Sequence, residues 1–76
     1  MPKSRVLTVF ESVFENIDPA ATASLIYNEF PGWDSLGHMK LVAALEAEFD
    51  CMLEMDEILG MNCFDVAVET MKKHAT

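Results

Sequence analysis

Ser35 is the residue of this chain with the widest scope for chemistry. It stands in Phe30-Pro31-Gly32-Trp33-Asp34-Ser35-Leu36-Gly37-His38-Met39, after a Pro-Gly break and before an apolar run with helical spacing. That context predicts an exposed hydroxyl in the first turn of a helix, with Asp34 as the N-cap. Free backbone N–H groups and the positive end of the helix dipole meet there, and both favour a negative group bound or attached. Two chemistries follow. Ser35 could be a site of covalent attachment, or it could pair as a nucleophile with His38, three residues on and on the same helix face. The second reading lacks an evident orienting acid, an oxyanion site and a deep pocket. The plain alternative is that Ser35 only caps the helix and His38 is a solvated histidine. Against it, Pro31, Gly32 and Trp33 on one side and Leu36 and Met39 on the other frame the hydroxyl with apolar side chains, which a cap does not require. Gly37 would keep the surface beside Ser35 low.

Other reactive residue types form weaker patterns. Asp50, Glu54, Asp56 and Glu57 lack the spacing and central glycine of a calcium loop, so they read as a solvated face and no metal site is expected. Cys51 and Cys63 have neither the number for a disulfide scaffold nor zinc spacing, and they read as free, partly buried thiols. Met52, Met55 and Met61 read as adaptable packing.

The elements that position Ser35 follow from apolar periodicity. Ser4 is placed to cap a first helix over about Arg5 to Asn16, with Val6, Val9, Phe10 and Val13 as its buried stripe and Phe14 widening it. Asp18-Pro19 should end that helix. Residues 18–33 then form a long connection, with a helical turn between Ala20 and Leu25 and anchors at Leu25, Ile26, Tyr27 and Phe30. The second helix begins at Asp34-Ser35 and turns Leu41, Val42, Leu45 and Phe49 inward. Asp56 could cap a short third helix ending near Gly60, and Asn62 a last helix over roughly Cys63 to His74. Val66, Val68 and Met71, with Phe64 and Ala67, supply that helix's apolar surface, and Lys72, Lys73 and His74 complement its dipole. No run alternates convincingly as a strand. The expectation is an all-α four-helix bundle with three main helices, one short third helix and a long first loop.

Size and charge narrow the function. The 76 residues allow one domain, residues 1–76, too small for an elaborate buried active site. With 51% hydrophobic residues the chain has ample core for its length and is no candidate for intrinsic disorder. A formal net charge of −8 argues against nucleic acid and anionic membranes and favours partners with basic surfaces. No apolar run spans a bilayer, and Met1-Pro2-Lys3-Ser4-Arg5 with its sequel does not make a signal peptide, so the expected setting is cytoplasmic.

Gly32-Trp33-Asp34-Ser35-Leu36, with Leu41-Val42 and Leu45-Glu46-Ala47-Glu48-Phe49 downstream, resembles the second helix of acyl carrier proteins. Length, acidity, the long first loop and the short third helix extend the likeness over nearly the whole chain. The resemblance implies a stand-alone, monomeric carrier without catalytic residues or turnover of its own. Ser35 would carry phosphopantetheine, covalently attached from coenzyme A by a separate phosphopantetheinyl transferase, with cargo held on the arm as a thioester. It implies partner recognition by Asp34, Leu36, Met39 and Ala43, with negative rim charge from Glu46 and Glu48 meeting basic docking surfaces on acyl-loading and acyl-processing enzymes. His38 could also touch the phosphate of the arm. Gly37, His38 and Lys40 stand where carriers of fatty acid synthesis usually have acids. That departure points to polyketide, modified-lipid, peptide or other specialised assembly. The remaining alternatives are a peptidyl or aminoacyl carrier and a small acidic helical interaction module without the arm.

Overall fold

A computed structural model describes residues 2–74; Met1, part of the segment read for a signal peptide, lies outside them. The chain is all-α, with helices α1 (Pro2–Val13), α2 (Ser35–Phe49), α3 (Met55–Gly60) and α4 (Phe64–His74), and a 3-10 turn at Thr22–Ser24. α1 packs against α2 and α4, and α4 also closes on α2 and the 3-10 turn. Among the described residues no helix is long and apolar enough to cross a membrane.

The predicted inward stripes form one core, except that Val13 is half-buried at its edge and Val66 is half-buried and outside it. Val6, Val9, Phe10 and Phe14 of the first segment meet Leu41, Val42, Leu45 and Phe49 of α2 and Phe64, Ala67, Val68 and Met71 of the last. Phe10 is its hub, edge-on to both Trp33 and Phe64 at 5.2 Å between ring centroids. Such edge-to-face pairs satisfy the ring quadrupoles while burying large areas. At the far end of α2, Arg5 ties α1 down by donating to the Glu48 carboxylate at 3.2 Å and the Glu48 carbonyl at 2.7 Å. Its guanidinium also lies 4.2 Å over the Phe49 ring, a cation–π contact.

Helix boundaries depart from the sequence reading in four places. α1 starts at Pro2, so Ser4 does not cap it; its carbonyl accepts the Thr8 hydroxyl inside the helix. Proline lacks only an N–H that the first helical residue would leave unpaired anyway. The helix stops at Val13 rather than Asn16, whose φ of 61° is left-handed, so termination precedes Pro19. α3 is capped by Glu54, not Asp56: the Glu54 N–H donates to the Glu57 carboxylate at 2.9 Å. α4 begins at Phe64 rather than Cys63, and the Asn62 carbonyl accepts the Tyr27 N–H at 2.9 Å.

That last contact is what orders the long loop. The Phe64 N–H donates to the Leu25 carbonyl at 3.0 Å, Ile26 and Cys63 form an isolated antiparallel bridge, and Leu25 is buried. The loop is thus sewn by its backbone to the α3–α4 link. It then folds on itself, with Asn28 N–H donating to the Trp33 carbonyl at 2.7 Å and Trp33 N–H to the Phe30 carbonyl at 3.0 Å. Buried backbone groups paired in this way let a loop without regular structure stay in place.

Candidate functional site

The site is assembled where this loop delivers the chain into α2. Asp34 has an extended backbone and its Oδ1 accepts the Gly37 N–H at 2.9 Å, while its carbonyl accepts the His38 N–H at 2.7 Å. This is the N-cap read from the sequence. Ser35 is the first residue of α2 and is exposed. Intrahelical bonding leaves the first N–H groups of any helix without partners. Here Asp34 meets that of Gly37, and those of Ser35 and Leu36 stand at the end of the helix where Oγ projects.

Gly37 has a different role from the one expected. It is buried, and a Cβ there would lie 2.0 Å from the Gly32 carbonyl oxygen and 3.1 Å from Phe14 Cε1. The glycine lets the Pro31-Gly32 turn cross directly over the helix. Gly32 itself sits at a φ of 93°, where side chains are strained. These two glycines set how the loop enters the helix, and so where Ser35 points.

Trp33 does not frame the hydroxyl; its side chain is only 1% exposed and belongs to the core. Its indole N–H donates to His38 Nδ1 at 3.0 Å. His38 Nε2 lies 2.8 Å from the Ile58 carbonyl. An indole can only donate and a carbonyl only accept, so the imidazole carries its proton on Nε2 and both ring nitrogens are engaged. His38 is therefore half-buried and structural rather than solvated: it joins Trp33 under α2 to the end of α3. No hydrogen bond links it to Ser35, and the Ser-His nucleophile pair is not assembled.

Instead Ser35 meets a residue that sequence reasoning treated only as a loop anchor. The Tyr27 hydroxyl lies 3.3 Å from Ser35 Oγ, a long contact for two hydroxyls, which leaves Oγ weakly held. Tyr27 stands edge-on to His38 and Trp33, at 5.3 and 6.3 Å between centroids. The eight-residue separation carries no periodic signal, because the loop between them is irregular.

The proposed recognition residues divide by helix geometry. At about 100° per residue, Leu36, Met39, Ala43 and Glu46 lie within about 100° of Ser35, whereas Glu48 lies about 180° from Met39. Leu36 and Met39 are 66% and 55% exposed, and Ala43 is exposed beyond them. Glu46 is half-buried and its Oε2 accepts the Leu53 N–H at 2.9 Å, holding the α2–α3 loop. Glu48 is on the α1 side, paired with Arg5. In the α3 region Met52, Met55 and Leu59 are also exposed, so of Met52, Met55 and Met61 only Met61 is packing. Glu57 is tied to its own helix start and to His74 Nε2, which donates at 3.1 Å from α4. These bonds hold its carboxyl below the usual range, the Glu54 backbone N–H first and His74 second. Cys51 and Cys63 are free and half-buried. Burial, then the carboxylates of Glu46, Glu57 and Asp50, push the Cys51 thiol up, which makes it a poor nucleophile.

Among the concavities beside residues 34–38, two bear on Ser35, although it lines neither. One of about 450 Å³ opens toward the end of α1, and one of about 130 Å³ lies between Tyr27, His38 and the end of α3. Comparison with protein-family models, curated proteins and solved structures finds no match to this chain.

Proposed function

We propose that this chain is an acyl carrier whose Ser35 bears a phosphopantetheine arm. The reading rests on the resemblance of residues 32–49 to the second helix of acyl carrier proteins. The observation that most supports it is the setting of Ser35: an exposed hydroxyl on the first residue of α2, behind a capped N-terminus and beside exposed Leu36 and Met39. The phosphodiester would sit at the positive end of the helix, near the N–H groups of Ser35 and Leu36. When the arm is installed, the bond from Oγ to phosphorus forms as the pyrophosphate bond of coenzyme A breaks. Adenosine bisphosphate leaves, and the hydroxyl proton passes to a base of the separate transferase. The bound arm supplies the thiol that holds cargo as a thioester. The chain itself has no turnover; it presents cargo to partners at high effective concentration.

Leu36, Met39 and Ala43 supply an apolar stripe for those partners, and the net charge of −8 attracts basic docking surfaces. Asp34 acts on this surface through the cap it forms. The rim charge assigned to Glu46 and Glu48 is weaker than expected, since one is bonded to the Leu53 backbone and the other faces α1. The protein works as a cytoplasmic monomer in fatty acid, polyketide or other specialised biosynthesis, with peptidyl or aminoacyl cargo as the alternative. The test is to incubate it with coenzyme A, magnesium and a broad-specificity phosphopantetheinyl transferase and to measure its intact mass. Gain of one phosphopantetheinyl group, abolished in Ser35→Ala, is expected. No gain alongside a carrier that does load refutes the reading and leaves the acidic interaction module.

A further inference from the structure

We propose that Tyr27 holds the phosphodiester on Ser35 and turns the arm into the groove beside α3; this rests on the carrier reading. The Tyr27 hydroxyl and Ser35 Oγ are 3.3 Å apart. Once Oγ is esterified it has no proton to give and is a poor acceptor. The Tyr27 O–H is then free to donate to a charged phosphate oxygen one bond further out, exchanging a weak neutral contact for a charge-assisted one. The hydroxyl is already in position. Tyr27 is fixed by its N–H to the Asn62 carbonyl at 2.9 Å and by its ring edge-on to His38 and Trp33. His38 is in turn locked at both nitrogens.

Charge decides between the two concavities. The larger cleft, toward α1, is lined by Glu15 and Asp34 against a single cation, Lys40. A phosphodiester and its arm entering there would face an excess of carboxylate. The smaller groove, formed by Tyr27, His38, Ile58, Leu59, Met61 and Asn62, contains no carboxylate. Its aliphatic side chains suit the methyl-bearing part of the arm, and the polar ends of Tyr27 and Asn62 suit its amides. Its volume of about 130 Å³ holds only part of the arm, so the thiol and its cargo project beyond Leu59, which is 76% exposed.

The test compares wild-type protein and Tyr27→Phe, both loaded with phosphopantetheine and both verified by intact mass. Phosphorus NMR of the diester and amide chemical shifts before and after loading are recorded, with melting curves of the unloaded proteins. The expected result is a wild-type shift pattern centred on Tyr27, His38 and residues 58–62. In Tyr27→Phe the phosphorus resonance moves and narrows while the melting curve of the unloaded protein is kept. A loaded Tyr27→Phe protein whose phosphorus position and line width equal those of wild type overturns the proposal. So does a wild-type pattern centred on residues 13–16 and Lys40. Wild-type protein that takes no arm, with an active transferase, overturns the carrier reading and this inference together; loading without the Tyr27 effect overturns this inference alone.

Discussion

Gly37→Ala tests the argument that the loop's close crossing of α2 is what aims Ser35. In a helix interior alanine is favoured over glycine by up to about 1 kcal/mol, so propensity alone predicts stabilisation. The structure predicts the reverse. The added carbon would lie 2.0 Å from the Gly32 carbonyl oxygen, a full 1.0 Å inside the 3.0 Å limit that real Cβ atoms respect. The atom in the way is backbone, in a turn held by the Asn28 and Trp33 hydrogen bonds, so it cannot swing aside like a side chain. Overpacking costs about 1–3 kcal/mol, and a rigid obstacle belongs at the upper end. After subtracting the propensity gain the net loss is about 2 kcal/mol. For a domain of this size that lowers Tm by about 8–16 °C. Urea unfolding followed by Trp33 fluorescence, with melting by circular dichroism, measures it. Gly60→Ala is the control: nothing lies within 4 Å of its Cβ, so it should be neutral or stabilised by up to about 1 kcal/mol. A Gly37→Ala midpoint at or above wild type would refute the reasoning.

His38→Ala should cost about 2–3 kcal/mol in urea unfolding, because it strands the buried indole N–H of Trp33 and cuts the tether to α3; Lys40→Ala, exposed on the same helix, should stay within about 0.5 kcal/mol. A shift of Trp33 fluorescence to longer wavelength in the His38 variant checks that the loss is at the indole. Acid should act partly through Glu57, whose carboxyl is held low by the Glu54 N–H and then by His74. A carboxyl lowered by folding adds stability that is complete above its unfolded value, about 4.3, and is lost as pH falls through the folded one. Wild type should therefore exceed Glu57→Gln in urea midpoint at pH 6, the gap closing toward pH 3. A gap no smaller at pH 3 than at pH 6 would contradict it.

The inward stripes of α1, α2 and α4, the cap at Asp34, the placement of Ser35 at a helix start and the all-α class were all legible in the sequence. Each depends on residues a few positions apart, where helical periodicity and local capping govern. The reading failed at His38, Trp33 and Gly37. An isolated histidine next to polar residues looks solvated until a partner twenty residues away, the Ile58 carbonyl, is known. A tryptophan beside a break looks like a surface frame until Phe10 and Phe14 prove to pack against it. A glycine in a helix looks like a weakness until the carbonyl crossing above it is seen. Glu48 belongs with these: helix geometry places it off the Ser35 face, but its capture by Arg5 requires knowing how α1 lies on α2.

By itself, then, the sequence determined that a serine hydroxyl would stand exposed at the start of an amphipathic helix in a small acidic bundle. Hydrophobic spacing and an Asp cap suffice for that, because both act within one or two turns. Only the tertiary structure decided what surrounds the hydroxyl. Tyr27 reaches Ser35 because backbone bonds to residues 62–64 pin the loop, and the α2–α3 groove exists because His38 bridges Trp33 to Ile58. The bonds to residues 62–64 and to Ile58 join segments far apart in the chain, and no local pattern of residues specifies them.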